Sequence, residues 1–340
     1  MTKNHSLKIL PVQRRRLFDI ASRFSRCKIL VLGDFILDQF VWGDVRRISP
    51  EAPVPVVDVK RESYMPGGAL NTANNIHALK ATVCPCGVVG RDLGGRLLLK
   101  AMRREGIDTG GVVYDPARPT SIKTRIIAHS QQVVRFDREA KGDVAEPLLR
   151  KVLKFIRQAL PSFDAVIIED YGKGVVQPYL LKEIIALAHR WKKPVLVDPK
   201  EKHFSYYQGV TVITPNRFEA AAAVEDAKSK GQMTVDEIGR KLLRFLKCQA
   251  VLITLGEDGM ALFEKNGKGI KIPTAAREVY DVSGAGDTVI AVFGLSLAAG
   301  ATMQEAALLS NLAAGIVVGK LGTATVSPSE LAGVLKEAGA

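Results

Sequence analysis

The segment DAVIIEDYGKGVVQPYLLKEIIALAHRWKKPVLVDPK, residues 164–200, decides the fold. It holds two runs of Val, Ile, Leu and Ala, within 164–170 and 194–198, and each run ends in an acid. A strand with one wet face alternates apolar and polar residues. A continuous apolar run belongs to a strand covered on both faces, as parallel sheets require. Between the two runs, 177–192 repeats Leu, Ile and Ala at helical spacing. Strand, helix, strand in this order is the crossover unit of a parallel sheet.

The same alternation continues along the chain. Further strand-like runs lie at 28–34, 83–90, 210–214 and 250–255, and further helical segments at 92–105, 146–160 and 233–247. The expected fold class is α/β, a doubly wound, mostly parallel central sheet with helices on both faces. Such sheets bind ligands beyond the carboxyl ends of their strands, which draws attention to Asp34, Glu169, Asp170, Asp198, Asn216 and Thr254. Two stretches break the pattern. Residues 40–63 carry prolines inside a strand-like run, a mark of edge strands, and 121–139 reads as a hairpin turning near His129–Gln132. Together they predict a small β-sheet lid, drawn from about 38–64 and 119–138.

Composition excludes several classes. The 340 residues are 47% hydrophobic and 24% charged, ordinary for a globular protein. The longest apolar runs, near 288–299 and 312–319, are too short and too interrupted to span a bilayer, so no membrane partner is expected. No apolar secretory segment opens the chain. Cys27, Cys84, Cys86 and Cys248 form neither a CxxC pair nor a disulfide framework, which predicts reduced thiols and a cytoplasmic location. The net charge of +13 is concentrated at one end, where residues 1–28 hold eight Lys or Arg against one Asp. Within that end, Leu17, Ile20, Ala21 and Phe24 share a helix face over Arg14–Phe24. The expected organisation is a basic helical extension, 1–27, packing on one domain, 28–340; nucleic acid is not an expected partner.

Six motifs stand at the ends of these strands. PGGALNTANNIHALK, 66–80, pairs Gly67 and Gly68, which allow close backbone approach, with Asn71, whose carboxamide suits sugar hydroxyls. A tight strand-to-helix turn would use the same residues. DYGKG, 170–174, and VDPK, 197–200, place Lys173 and Lys200 where they meet phosphates or stand in solvent-facing turns. In TPNRFEA, 214–220, Asn216 and Glu219 flank Arg217 and Phe218. That spacing is an ordinary helix start, and it also suits a hydrated Mg²⁺. TLGEDGMALF, 254–263, offers Thr254, Gly256 and Gly259 as a turn against adenine or ribose, or simply as a hairpin.

The sixth is DVSGAGD, 281–287. Gly284, Ala285 and Gly286 enter an apolar helix, so their N–H groups form an anion hole. Asp287 stands in the first helical turn beside it, placed to accept a proton from an attacking hydroxyl, or merely to cap the helix.

Taken in order, GD at 33–34, PGG-x-x-N, D-x-x-KG, DPK, N-x-x-E and D-x-[ST]-GAGD resemble the ribokinase-like (PfkB) sugar kinases over about 28–328. Within that family, GDFILDQFVWGDVRRISPEAPVPVV, REVYDVSGAGDTVI and AAGIVVGKLGTATVSP are similar to the heptose 7-phosphate kinases of bacterial ADP-heptose synthesis. The resemblance implies ATP-dependent phosphorylation of the anomeric hydroxyl of D-glycero-β-D-manno-heptose 7-phosphate, in the pathway to the lipopolysaccharide core. It places the catalytic base on Asp287, the anion hole on Gly284–Gly286, and ATP and Mg²⁺ on Asn216–Glu219. Sugar contacts are implied at Asp34, Asp38, Gly67, Gly68 and Asn71, with Lys173 nearby, and a K⁺ site at Asp281 and Ser283. Arg46, Arg47, Lys123, Arg125 and Arg135 of the lid are the cations available for the 7-phosphate. A homodimer through the lid strands is expected. Many relatives add a nucleotidyltransferase domain with an HxGH motif; none of the five histidines here has that spacing, so no adenylyltransferase activity is expected.

Overall fold

The computed structural model describes residues 10–337 apart from 130, 225–232, 266, 268 and 277. Expectations for 1–9, for 338–340 and for residue 130 at the hairpin turn therefore lie outside the described residues. In chain order the first elements are α1 (Pro11–Ser22), β1 (Lys28–Gly33), β2 (Phe35–Ile48), β3 (Pro55–Gly68), α2 (Ala69–Ala78), β4 (Thr82–Gly90), α3 (Leu93–Arg104) and β5 (Val112–Asp115). The middle holds β6 (Ser121–Ala128), β7 (Gln131–Arg138), α4 (Glu146–Ala159), β8 (Ala165–Glu169), α5 (Pro178–Arg190), β9 (Val195–Asp198) and β10 (Val212–Ile213). Then follow α6 (Arg217–Ala222), α7 (Val235–Leu246), β11 (Ala250–Thr254), β12 (Met260–Glu264), β13 (Ile270–Ile272), α8 (Ala285–Ala298), α9 (Met303–Val317) and α10 (Pro328–Glu337).

The central sheet has the order β13-β12-β11-β10-β9-β8-β1-β4-β5. It is parallel from β11 to β5, and β12 and β13 add antiparallel at one end. Period-two alternation splits its side chains between two cores. Ile29, Val31, Ile167 and Leu196 point to the layer built by α1, α2, α3, α8, α9 and α10. Leu30, Leu32, Ile168 and Val197 point to the layer of α4, α5 and α7. This is the doubly wound architecture that the apolar runs predict. Leu17, Ile20 and Phe24 of the basic N-terminal segment are buried in the first core, so that helix packs as its apolar face requires.

Two features position the site. β1 lies between β4 and β8, so the chain winds outward in both directions from it, and the crevice opens where β1 and β8 end, at Asp34 and Asp170. α8 is buried nearly all round and lies close on β8: a Cβ at Gly294 would stand 2.8 Å from Ile167 Cδ1. Its N-terminus is thereby fixed over the same strand ends.

A second sheet, ordered β3-β2-β6-β7, forms the small sheet foreseen as a lid. The proline-bearing strand β3 is an edge, as Pro55 and Pro66 require, whereas β2 is interior, between β3 and β6. These strands run further than expected, from Phe35 and to Gly68, because they continue directly from β1 and into α2. The expected strand 210–214 shrinks to Val212–Ile213. β5, short and at the sheet edge, has no apolar run to announce it.

Ile167→Ala tests this packing. It removes a fully buried side chain between β8 and α8 and is expected to lower unfolding free energy by about 2–5 kcal/mol in chemical denaturation. A loss well under 1 kcal/mol would show that α8 settles into the void.

Candidate active site

Asp34 directly follows β1 and is almost fully buried. Its Oδ2 accepts the backbone N–H of Tyr171 (3.0 Å) and of Lys173 (2.9 Å), and Oδ1 that of Val175 (3.1 Å). Burial pushes its pKa up to about 6 against the pull of these three donors. Its backbone carbonyl accepts Ala69 N–H, at the start of α2 (3.1 Å). One aspartate therefore ties the loop after β8 and the start of α2 to the end of β1. The resemblance implies a sugar contact at Asp34; in the structure its carboxylate holds the DYGKG loop.

That loop delivers Tyr171 to Asp287. The phenol donates to Asp287 Oδ1 (2.6 Å), and Asn71 Nδ2 donates to Oδ2 (2.5 Å). Asn71, foreseen as a sugar ligand, thus spends an amide hydrogen on the aspartate. The approach needs a glycine opposite: Gly284 has φ +76°, and a Cβ there would lie 2.6 Å from Asn71 Nδ2. Burial raises the Asp287 pKa, while the Tyr171 and Asn71 hydrogen bonds pull it back. Of the foreseen anion hole, Ala285 N–H is taken by Val282 O (3.2 Å). Gly286 and Asp287 follow in the first turn of α8, where N–H groups have no carbonyl one turn back to bond.

Around Asp287 the negative charge is dense. Carboxylate oxygens of Glu169, Asp198 and Asp287 all lie within 4.8 Å of one another. Burial, then Asp198 and Asp287, push Glu169 well above the usual carboxylate range. Burial, then Asp287 and Glu219, do the same to Asp198, whose Oδ1 accepts Thr214 Oγ1–H (3.1 Å). Asp170 lies beside them, accepting from Tyr207 (2.7 Å) and meeting His203 Nδ1 (2.7 Å).

The lid side brings fewer groups. Asp38 Oδ1 pairs with Arg125 (2.5 Å), and Gly67 leaves room for Asp38, since a Cβ there would overlap Asp38 Oδ2. Gly68, at φ +59°, lets the chain turn against the Asp34 carbonyl. Lys123 is half-buried, its ammonium 5.7 Å from the Tyr171 ring centre, and burial lowers its pKa. Arg46 and Arg135 pair with Asp44 and Asp137 on the lid itself, and Lys173 pairs with Glu139 (2.5 Å).

Asn216 and Glu219 form a reciprocal cap on α6. Asn216 Oδ1 accepts Phe218 N–H (2.9 Å) and Glu219 N–H (3.0 Å), and Glu219 Oε2 accepts Asn216 N–H (2.9 Å). The helix-start reading of this motif is realised, and Asn216 Oδ1 is committed twice. Arg217 pairs with Asp258 (2.6 Å) and Phe218 is exposed; burial raises the Glu219 pKa, while the Asn216 N–H and nearby Lys200 pull it back only in part. The TLGEDGMALF motif forms the β11–β12 hairpin; Gly256 (φ +62°) faces open space, whereas Gly259 (φ +86°) is pressed on Ile272 O. Asp281 accepts Ser283 N–H (2.9 Å) and Gly322 N–H (3.0 Å). Although burial opposes them, these donors hold its pKa below the usual value.

Tyr171 is the residue sequence reasoning passed over. Its signal was its place, directly after Asp170, the acid that follows β8. Because its hydroxyl donates to the ionised form of Asp287, Tyr171→Phe is expected to raise the Asp287 pKa, followed by carboxyl ¹³C NMR. Asp38, Lys123, Glu169 and Asp198 face the same carboxylate and stay in place. An unchanged or lower pKa would deny the phenol that role.

A family model described as pfkB family carbohydrate kinase matches residues 27–330. The chain is 45% identical over 324 residues to bifunctional protein HldE of Geobacter sulfurreducens, covering 95% of this chain and 66% of that relative. It thus spans less than two thirds of the length of the curated relatives it matches first. Ribokinase of Arabidopsis thaliana, complexed with ribose and ATP, has a TM-score of 0.69 at 18% identity, over 91% of this chain and 99% of that one. Phosphofructokinase-2 from Escherichia coli, in complex with potassium, has a TM-score of 0.75 at 18% identity, over 92% and 99%. Those likenesses speak for the fold, which is ribokinase-like. With the family model spanning most of its length, from the last residue before β1 into α10, this chain belongs to the pfkB family of carbohydrate kinases.

Proposed function

We propose that this chain transfers the γ-phosphoryl group of ATP to the anomeric hydroxyl of D-glycero-β-D-manno-heptose 7-phosphate, giving the 1,7-bisphosphate used in ADP-heptose and lipopolysaccharide core synthesis. The observation that carries the reading is Asp287: a buried carboxylate, held by two donors, in the same helical turn as unpaired N–H groups. A proton acceptor and an anion site side by side are what in-line phosphoryl transfer to a hydroxyl requires. The sugar is inferred from the 45% identity to bifunctional protein HldE and from the sequence motifs shared with heptose 7-phosphate kinases.

In this mechanism Asp287 takes the proton of the C1 hydroxyl as it attacks. The N–H groups of Gly286 and Asp287, with Gly284 opening the turn, stabilise charge on the transferred phosphoryl. Lys200 and the Thr254–Gly259 turn serve the nucleotide. Mg²⁺, when bound, neutralises phosphate charge. Glu219 fits it as an oxygen donor acting through water, because only Oε2 enters the α6 cap; Asn216 fits poorly, its Oδ1 being committed. Asp281 and Ser283 are the proposed K⁺ contacts. Asp38, Gly67, Gly68 and Arg125 line the sugar side, and Lys123, the half-buried lid cation, is the group proposed for the substrate's phosphate. The exposed edge strand β7, with Val133, Val134 and Phe136, supports a homodimer through the lid. The domain is proposed as 28–340 preceded by the helical segment 1–27, acting in the cytoplasm. Among the described residues no helix is long and apolar enough to cross a membrane.

Asp287→Asn is expected to lower kcat by about 10²–10⁴-fold while ATP affinity in calorimetry stays within a few-fold. Turnover near wild type would remove the base. A coupled ADP-release screen tests the sugar: fast turnover of the heptose phosphate is expected, and comparable rates on ribose or fructose 6-phosphate with none on the heptose would reassign the chain to another sugar kinase.

A further inference from the structure

Among the described residues, Glu169 alone has a buried side-chain oxygen without a hydrogen-bond partner. It ends β8 with no exposed surface. Thr72 Oγ1–H donates to its Oε1, and its Oε2 is buried with no hydrogen-bond partner. Buried carboxylate oxygens without donors are rare, because the ion loses its hydration and gains nothing in return. Here the neighbours aggravate the loss. The nearest charged groups are the carboxylates of Asp198, on β9, and Asp287, on α8, with Asp170 one residue along the chain. Among the described residues no Lys or Arg forms an ion pair with Glu169 or Asp198.

An oxygen that cannot find a donor becomes satisfied if it is itself the donor. We propose that Glu169 is a neutral carboxylic acid at physiological pH, whose Oε2–H faces the carboxylates of Asp198 and Asp287 and whose Oε1 accepts from Thr72. The shared proton removes one negative charge from a group of three. It converts a repulsive contact into a donor–acceptor one. Burial and the two carboxylates act on Glu169 in the same direction, raising its affinity for the proton. Glu169 is in this reading a positioning residue. It keeps Asp287 ionised beside a neutral neighbour, where an ionised Glu169 would drive the Asp287 proton affinity up.

The inference deepens the reading of Asp287 as a base, yet its test needs no turnover. Infrared spectra of the wild-type chain at about pH 7.5, above every ordinary carboxyl pKa, are expected to show the C=O band of a protonated carboxylic acid. The band should shift when only glutamate is ¹³C-labelled and vanish in Glu169→Gln. Its absence from wild type, or its failure to respond to glutamate labelling, overturns the proposal, and the labelling arm holds even if the variant does not fold. Stability gives a second readout. A group whose pKa is raised on folding binds more protons in the native state, so its contribution is full below the unfolded value, about pH 4.3, and is lost as pH rises through the folded value. Wild type is therefore expected to lose denaturation midpoint with rising alkalinity more steeply than Glu169→Gln, whose amide donates at every pH. Asp198 and Asp287, also raised, leave a residual slope in both. Equal slopes would count against the proton. So would tight binding of Mn²⁺ to the nucleotide-free wild type that Glu169→Gln abolishes, since a cation would then neutralise the cluster in the proton's place.

Discussion

Three backbone N–H groups converge on the carboxylate of Asp34, and the arrangement of the site follows from that convergence. The aspartate directly follows β1, the strand at which the winding reverses. It fixes the loop after β8 at a defined height above β1. Tyr171 sits in that loop, so its hydroxyl reaches Asp287 from one side. The carbonyl of Asp34 also receives the first N–H of α2, so Asn71, two residues into that helix, reaches Asp287 from the other. A carboxyl pushed up to about 6 by burial retains this role because ionisation is supported by three donors.

The second constraint is the seating of α8. A helix so evenly apolar is held by shape: Gly294 permits contact with Ile167, and Gly284 permits contact with Asn71. These two close approaches fix the axial position and the N-terminus of α8 over the strand ends. The helix start then brings its polar first turn to a place that is otherwise crowded with carboxylates. A preorganised site of this kind is built from packing, and its electrostatics are a consequence of where the packed helix begins.

Much of the fold was legible in the chain. Continuous Val, Ile and Leu runs announced β1, β4, β8, β9 and β11 because strands buried on both faces must be apolar throughout. Helices α3, α4, α5 and α7 announced themselves by their single apolar faces. The lid strands were harder to delimit. Their exposed sides are charged, and they continue without a break from β1 and into α2, so neither composition nor a turn marks where lid begins and core ends. β5 and β10 are too short to produce a pattern.

The sequence by itself determined the sheet, the order of its strands' neighbours in the chain, and the residue types gathered at the strand ends, because burial on two faces and helix-start chemistry leave local signatures. It also determined that Asn216 and Glu219 begin a helix, since a reciprocal cap is a contact between near neighbours. Which polar group meets which was decided only in three dimensions. Asn71 and Asp287 are separated by 216 positions, and Tyr171 and Asp287 by 116. Glu169, Asp198 and Asp287 become one electrostatic unit only when β8, β9 and α8 are packed. Hydrogen-bond partners, proton affinities and the unpartnered oxygen of Glu169 depend on distances of a few ångströms between such remote residues, and no local pattern in the chain encodes them.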